Sequence, residues 1–218
     1  MKKTKIEWCD ATINPVVGCP RGCEYCYARK MNDRFKWIED FSKPQFFPER
    51  LKEFESKKPK SIFINSMSDI EFWEEEWEDK IRAAIIRNPQ HNYIVLTKGV
   101  RHFWDRLPNS IYNVLTATTQ KELERHKNQW TYSAINIEPI LEPIDLSKVH
   151  TSFKGEDYMI IIGAETGNRK GKVIPEKKWI DDIVKQADER KVKVFMKESL
   201  RQLMGKDFRQ DKLIWEVR

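Results

Sequence analysis

Residues 158–196, YMIIIGAETGNRKGKVIPEKKWIDDIVKQADERKVKVFM, place an amphipathic stretch between two apolar runs. The runs YMIIIG (158–163) and VKVFM (192–196) are short and rich in β-branched residues, which is typical of buried strands. Between them, Pro175 suits the first turn of a helix that carries the apolar residues Trp179, Ile180, Ile183, Val184 and Ala187. A strand, a helix and a strand joined by short links predict parallel strands covered by a helix.

The same alternation extends along the chain. Further strands are predicted at ATINPVV (11–17), SIFIN (61–65), YIVLT (93–97), YNVLTAT (112–118) and AINIE (134–138). A helix is predicted over 74–87, with Trp77, Ile81, Ala84 and Ile85 on one face. Two more are predicted over CEYCYARKMNDRF (23–35) and from a capping box at Thr119 and Glu122 to about Trp130. We therefore expect an α/β fold: one domain over residues 1–218, built as a partial (β/α)6-type barrel with parallel strands, with a basic C-terminal extension from about residue 197.

Composition indicates a soluble globular protein. Of the 218 residues, 39% are hydrophobic and 34% are charged, and no apolar run approaches the length of a membrane span. The start, MKKTKIEW, lacks the apolar stretch of a signal peptide, so we expect a cytoplasmic protein with no membrane partner. Thiols stay reduced in that compartment, where clustered cysteines more often bind metal than form disulfides. The net charge of +6 favours an anionic partner.

Three of the four cysteines lie in GCPRGCEYCYAR (18–29), with the spacing C-x3-C-x2-C. A tetrahedral zinc site usually has two separated Cys or His pairs, whereas Cys19, Cys23 and Cys26 form one tight triplet and the four histidines are scattered. A 4Fe-4S cluster normally takes four thiolates, so three would leave one iron open to an exogenous ligand. The remaining alternative is that the cysteines pack as small hydrophobic side chains.

Polar segments follow most of the predicted strands: NSMSD (65–69), TKG (97–99), TATTQ (116–120), EPILEP (138–143) and GAETGNRKGK (163–172). In parallel α/β folds, functional residues gather at the carboxyl ends of the strands. We therefore expect residues 65–69, 97–99, 138–143 and 163–168 to converge on one face with the cysteine loop. Each segment alone is also compatible with a turn or a helix cap, which is the favoured interpretation for TTQ.

CPRGCEYC resembles the C-x3-C-x2-C motif of the radical S-adenosylmethionine (radical SAM) superfamily, including the aromatic Tyr25 before the last cysteine. Segments across most of the chain are similar to those of a phage- and prophage-associated radical SAM-like family of unknown function: TKIEWCDATINPVVGC, CYA, SIFINSMSD, PQHNYIVLTK, INIEPILEPIDL and IIIGAETG. In that family we expect a threonine in place of Cys9 and a glycine in place of Ala164. The first difference suggests that Cys9 is not a general cluster ligand.

The resemblance implies an enzyme with two cofactors, a 4Fe-4S cluster and S-adenosylmethionine. Cys19, Cys23 and Cys26 would ligate three irons, and the amino and carboxylate groups of S-adenosylmethionine would chelate the fourth. One electron from the reduced cluster would yield methionine and a 5′-deoxyadenosyl radical, which abstracts a hydrogen atom from the substrate. An electron donor such as a flavodoxin or a ferredoxin is then expected as a partner.

Further roles follow less directly from the resemblance. Many members hold the methionine ammonium with a Gly-Gly-Glu segment after the second strand, and NSMSD stands in that place here. We therefore expect cofactor contacts from Ser66, Ser68 and Asp69, with a helix cap as the alternative. Glu165 is expected at the ribose or amino group of the cofactor, with a buried structural carboxylate as the alternative. Lys98 and Glu138 also end strands and are cofactor-binding candidates.

The expected substrate is an anion, a nucleotide or a nucleic acid, approached over Arg169, Lys170 and Lys172 of GNRKGK. The two glycines of this loop would let the backbone approach a phosphate closely. A solvated surface loop is the plainer alternative. Two other functions remain open: a non-catalytic iron–sulfur or zinc nucleic-acid-binding protein, and an electron-transfer protein. The missing fourth cysteine in the loop argues against the last of these.

Overall fold

The structure, a computed structural model, describes residues 4–101, 110–128, 132–150 and 152–217. The chain divides into two compact units. The first unit runs to Tyr112 and includes the final residues from Trp215, and the second unit is Asn113–Ile214. The single-domain organisation expected from the sequence stays a prediction. No helix of the described residues is long and apolar enough to cross a membrane.

The described residues form an α/β fold with a main sheet of seven strands in the order β1-β4-β5-β6-β7-β8-β9. Strand β1 pairs with β4, β4 with β5, β6 with β7, β7 with β8 and β8 with β9, and each of these pairs is parallel. The predicted α/β class is confirmed, and the strand order is consistent with a partial barrel. The strands are β1 Ala11–Thr12, β2 Val16–Val17, β3 Gln45–Phe46, β4 Ser61–Phe63, β5 Asn92–Thr97, β6 Ile111–Thr116, β7 Ala134–Ile137, β8 Met159–Ile162 and β9 Lys193–Met196.

The α-helices are α1 Tyr27–Phe35, α2 Glu75–Ile86, α3 Gln120–Glu124, α4 Lys177–Glu189 and α5 Arg201–Met204. Short 3-10 helices cover Pro48–Glu55, Ile70–Phe72, Leu146–Lys148, Glu198–Leu200 and Gly205–Asp207. Helix α4 begins two residues after Pro175, so the prediction that this proline lies in its first turn is wrong. Thr119 caps α3 as predicted, but the helix ends at Glu124, and Trp130 lies outside the described residues.

The predicted first strand, ATINPVV, is two separate strands. Ala11–Thr12 joins the main sheet beside β4, whereas Val16–Val17 pairs with β3 in an antiparallel ribbon. Pro15 has no N–H for a ladder hydrogen bond. The side chain of the neighbouring Asn14 accepts a hydrogen bond from the backbone N–H of Met67 at 3.0 Å. These two residues interrupt the strand and direct the following loop, residues 18–26, toward the carboxyl end of β4.

Each unit has its own apolar core. Successive side chains of a strand point to opposite faces, so alternate residues reach the helix-covered side of the sheet. In the first unit these are Ile62, Ile64, Tyr93 and Val95, which pack with Ile81, Ala84 and Ile85 of α2. In the second unit they include Leu115, Ile135, Ile160 and Val194, which pack with Ile180, Ile183 and Ala187 of α4. These helix faces are the ones that the apolar periodicity predicts.

The C-terminal segment is folded and held by tryptophan contacts and ion pairs. Trp215 is fully buried in the first unit, and its indole N–H donates to the carbonyl of Trp8 at 2.7 Å. The carbonyl of Trp215 accepts hydrogen bonds from the Ser61 hydroxyl at 2.7 Å and the Asn92 amide at 2.9 Å. Several basic residues of the predicted extension are paired with acids, including Arg209 with Asp188 and Asp211.

Replacing Trp215 by alanine should lower the free energy of unfolding by about 3–5 kcal/mol, since it removes a fully buried aromatic side chain and leaves a cavity. Trp37 is 39% exposed and is the matched control. Trp37→Ala should cost less, about 0.5–1.5 kcal/mol, the contribution of its stack on Phe35. Chemical denaturation followed by circular dichroism measures both. Equal effects of the two substitutions would contradict the role assigned to Trp215.

Candidate functional site

The three clustered cysteines lie in the loop between β2 and α1. The N–H of Gly18 donates to the carbonyl of Met67 at 3.0 Å, which places the start of this loop at the carboxyl end of β4. The N–H of Cys19 donates to the carbonyl of Phe41 at 2.7 Å. The guanidinium of Arg29, on the first turn of α1, donates back to the carbonyl of Cys19 at 3.1 Å. The loop is therefore closed on itself and fixed to the sheet.

Burial raises the pKa values of the Cys19 and Cys26 thiols, and nearby backbone N–H groups lower them. Burial raises the pKa of Cys19 to about 11, while the backbone N–H of Arg21 works against that rise. Burial likewise raises the pKa of Cys26, and the N–H of Arg29 opposes it by donating to Sγ at 3.4 Å. A negative charge on Cys23 would raise the pKa values of both Cys19 and Cys26. Cys23 therefore lies near both of these residues.

One wall of the cysteine loop is apolar. Cys19 and Cys26 pack against an apolar cluster that includes Val17, Ala28, Ile38, Phe41 and Met67. Backbone N–H groups directed at sulfur are among the features that tune iron–sulfur clusters. Within the described residues, no three or more His, Cys, Asp and Glu side chains are gathered into a group that could hold a metal ion. The features of the loop that would suit a cluster are its N–H donors and its apolar wall.

Asp69 joins the ends of two strands to the cysteine loop. It is 7% exposed and follows β4. One carboxylate oxygen accepts from the Thr97 hydroxyl at 2.7 Å, and the other accepts from the N–H of Lys98 at 3.1 Å. The guanidinium of Arg21, in the cysteine loop, forms an ion pair with Asp69 at 3.2 Å. Residues 65–69 and 97–99 thus converge with this loop, as predicted for these two segments.

Lys98 and Tyr25 meet at the same place in the first unit. The Lys98 ammonium lies 5.5 Å from the centre of the Tyr25 ring, in cation–π geometry. Gly99 follows, and a side chain there would require the carboxylate of Glu71 to move. Both cofactor-binding candidates are therefore beside the cysteine loop.

Hydrogen bonds within the protein involve the side chains of Ser66, Ser68 and Asp69. The hydroxyl of Ser66 donates to the side-chain oxygen of Asn14 at 3.0 Å, and that of Ser68 accepts from the Trp73 indole at 3.0 Å. Asp69 caps the 3-10 helix Ile70–Phe72 by accepting from the N–H of Glu71 at 3.1 Å. The helix-cap interpretation is correct for Asp69, and a cofactor contact of these three residues stays a prediction.

In the second unit, Glu138 forms an ion pair with Lys197. Gly163 leaves room for this pair, since a Cβ there would lie 3.0 Å from Cγ of Glu138 and 3.1 Å from Cδ of Lys197. The N–H of Ile140 donates to the carbonyl of Gly163 at 2.9 Å, which brings the ends of β7 and β8 together. Lys197 was not among the predicted site residues, although it directly follows the predicted strand VKVFM and obeys the same strand-end rule.

Glu165 and Arg169 form an ion pair. The guanidinium donates to both carboxylate oxygens, at 2.6 and 2.8 Å, and Glu165 is 7% exposed. This matches the alternative of a buried structural carboxylate, and it ties Arg169 to its own loop. Lys172 donates to the carbonyl of Gly167 at 3.1 Å, and Lys170 is exposed. Convergence of residues 138–143 and 163–168 with the cysteine loop stays a prediction.

The two glycines of the GNRKGK loop have a conformational role. Gly167 and Gly171 have φ angles of +86° and +73°, which side chains other than glycine rarely adopt. The turns of the loop therefore account for both glycines without a bound phosphate.

Comparison with known proteins identifies the family to which the chain belongs. The model of a family described as "Protein of unknown function (DUF5131)" matches residues 3–204. The chain belongs to the DUF5131 family. The matched region of this DUF5131 protein contains the cysteine loop, Asp69 and the Glu138–Lys197 pair. No curated protein and no solved structure matches the sequence.

Replacing Asp69 by alanine should lower the free energy of unfolding by about 2–4 kcal/mol, because it leaves the Arg21 guanidinium and several buried donors without their acceptor. Asp69→Asn keeps the shape and one acceptor oxygen, so its effect should be smaller. Asp33→Ala, at an exposed position of α1, is the control and should have little effect. Urea titration of the metal-free protein compares the three. A loss no greater for Asp69→Ala than for Asp33→Ala would show that Asp69 does not hold the site together.

Proposed function

We propose that this protein is a radical SAM enzyme in which Cys19, Cys23 and Cys26 bind a 4Fe-4S cluster. The observation that carries the proposal is the cysteine loop itself. It has three half-buried thiols within eight residues, backbone N–H donors directed at two sulfurs, an apolar wall, and an anchor at the carboxyl end of β4. Three thiolates satisfy three irons of a cubane cluster and leave one coordination position for another ligand.

The position of Cys9 supports a three-cysteine site. The next residue, Asp10, donates its N–H to the carbonyl of Ser61 at 2.9 Å, so Cys9 lies near the amino end of β4. The cysteine loop begins at Gly18, which bridges Ser68 beyond the carboxyl end of the same strand. Cys9 and the triplet therefore belong to opposite ends of β4, which argues against Cys9 as a fourth ligand.

The chain would contribute binding, orientation and exclusion of water. When bound, the reduced cluster supplies the electron that cleaves S-adenosylmethionine to methionine and a 5′-deoxyadenosyl radical, which abstracts hydrogen from a substrate. The apolar wall of Val17, Phe41 and Met67 would keep water from one side of the cluster. Asp69 would fix the loop, since both of its oxygens already accept hydrogen bonds. We assign to Lys98 the carboxylate of the methionine moiety, beside the Tyr25 ring.

No specific cofactor contact is assigned to residues of the second unit. Glu138 forms an ion pair with Lys197, and Glu165 forms one with Arg169. A cofactor contact of either carboxylate therefore stays a prediction. For the substrate we keep the anionic class, a nucleotide or a nucleic acid. The support for it is the basic composition of the chain and the exposed Lys170 and Lys172 of the GNRKGK loop.

Protein reconstituted without oxygen should bind about four irons per chain and form 5′-deoxyadenosine from S-adenosylmethionine with dithionite as reductant. Alanine at Cys19, Cys23 or Cys26 should abolish both the iron and the product, since each removes one of only three thiolate ligands. Cys9→Ala is the matched control and should retain both. Iron analysis and chromatography of the nucleoside measure the two properties.

Two outcomes would overturn the proposal. Stoichiometric zinc with no iron after anaerobic reconstitution would favour a zinc nucleic-acid-binding protein. A full iron content that depends on Cys9 as much as on Cys23 would indicate four cysteine ligands and therefore no open position for S-adenosylmethionine.

A separate prediction concerns the substrate. The double variant Lys170→Ala, Lys172→Ala should weaken oligonucleotide binding and reduce the slope of log K against log[salt] by up to about two, because each phosphate contact releases one counterion. This variant keeps the Glu165–Arg169 ion pair, and it removes the exposed hydrogen bond from Lys172 to the carbonyl of Gly167. Lys57→Ala, Lys58→Ala is the control for loss of two charges from an exposed loop. An unchanged affinity and salt slope in the first variant would remove this loop from the substrate path.

A further inference from the structure

Helix α1 has an apolar stripe on its exposed side. Tyr27, Met31 and Phe35, spaced four residues apart, are 50%, 38% and 51% exposed, and Trp37, just beyond the helix, is 39% exposed. The rings of Phe35 and Trp37 stack with centroids 5.3 Å apart. We call these four residues the α1 stripe. Ala28 and Asn32 are buried, so the helix already has a separate face for its own core.

The stripe begins directly at the cysteine loop. Cys26 is the N-cap residue of α1, and Tyr27 is the next residue along the chain. The hydroxyl of Tyr27 donates to the carbonyl of Ser66 at 2.7 Å, so this ring is held against the segment that follows β4. From Tyr27 to Phe35 the helix extends about 12 Å, at 1.5 Å per residue. A protein that covered the stripe would therefore lie close to the sulfur of Cys26.

Positive charge borders the stripe. Lys30 and Arg34 are exposed, and at 100° per residue they fall together on the flank of the stripe opposite Ala28. Arg34 stacks over Phe35 at 5.2 Å, and Lys36 follows the helix. Residues 27–37 contain four basic side chains and one acidic side chain. Aromatic, Met and Arg side chains at the centre, with charge at the border, are typical of protein interfaces.

We propose that the α1 stripe is the docking surface for an acidic protein that carries one electron to the cluster. This inference rests on the proposed function, because a cluster that cleaves S-adenosylmethionine must first be reduced. In the step, the reduced carrier loses one electron and the oxidised cluster gains it. Interfaces between electron-transfer proteins are small and weak, and the four side chains of the stripe would form the centre of such an interface. The basic border would steer an acidic carrier and select it over a basic one.

A nucleic acid is the competing occupant, since aromatic and basic side chains also bind single strands. Two features favour a protein. Single-strand sites have a basic groove that follows the backbone, whereas Lys30 and Arg34 border the stripe on one side only. Met31 also lies between Tyr27 and Phe35, and a methionine offers no flat ring on which a base could stack.

The test uses the cluster-loaded protein and an acidic flavodoxin as the probe. Lys30→Glu, Arg34→Glu should slow association with flavodoxin and weaken binding by about tenfold, since charge at an interface border acts mainly on the association rate. Phe35→Ser should weaken binding without changing its salt dependence. Surface plasmon resonance at several salt concentrations measures both effects. Controls are Lys57→Glu, Lys58→Glu for the charge and Ile174→Ser for an exposed apolar side chain, 76% exposed.

Dithionite separates this proposal from the proposed function. With dithionite, which needs no docking surface, the parent and both α1 variants should form 5′-deoxyadenosine at equal rates. With reduced flavodoxin only the α1 variants should be slow. If the parent is active with dithionite but the α1 variants bind flavodoxin as the parent does, the docking proposal is wrong and the proposed function stands.

Two other results would overturn the docking proposal. If the α1 variants lose oligonucleotide binding and keep flavodoxin binding, the stripe is a nucleic-acid surface and the docking proposal is overturned. If the parent forms no product even with dithionite, the proposed function itself fails, and the docking proposal falls with it.

Discussion

The carboxylate of Asp69 is the interaction on which the candidate site depends. It accepts hydrogen bonds from the Thr97 hydroxyl and from the N–H groups of Lys98 and Glu71, and it forms an ion pair with Arg21. These partners come from the turn after β4, the end of β5 and the cysteine loop. Because Asp69 is almost fully buried, its charge is stabilised by these donors rather than by water. These contacts add to the hydrogen bonds from Gly18 and Met67 that already join the cysteine loop and Asn14 to the segment after β4.

Burial of the cysteines has a consequence for metal binding. A buried thiol resists deprotonation, and burial raises the pKa of Cys19 to about 11. A bound metal requires thiolates, so metal binding must release protons and supply free energy against this resistance. The N–H groups of Arg21 and Arg29 lower that cost by donating to the sulfurs. On the proposed function, the metal would supply the free energy that keeps these buried sulfurs as thiolates.

Sequence pattern predicts well whatever depends on periodicity and chain neighbours. The apolar runs predict β4 to β9, and the helical spacing predicts the buried faces of α2 and α4, because burial alternates with fixed periods in both elements. The division of ATINPVV into two strands was missed because the Asn14 side chain accepts hydrogen bonds from residues 66 and 67, far along the chain. Arg21 was missed for the same reason, whereas Lys197 was missed although it directly follows a predicted strand and satisfies the strand-end rule. Their partners, Asp69 and Glu138, come from other strand ends, and no local pattern identifies such pairs.

The central claim is that three thiolates, and no fourth residue of this chain, hold the cluster. Mössbauer spectroscopy of protein reconstituted with iron-57, recorded with and without S-adenosylmethionine, tests it directly. The account predicts that about one iron in four changes its isomer shift when S-adenosylmethionine is added, while the thiolate-bound irons do not. A spectrum that is the same with and without saturating S-adenosylmethionine would contradict the account.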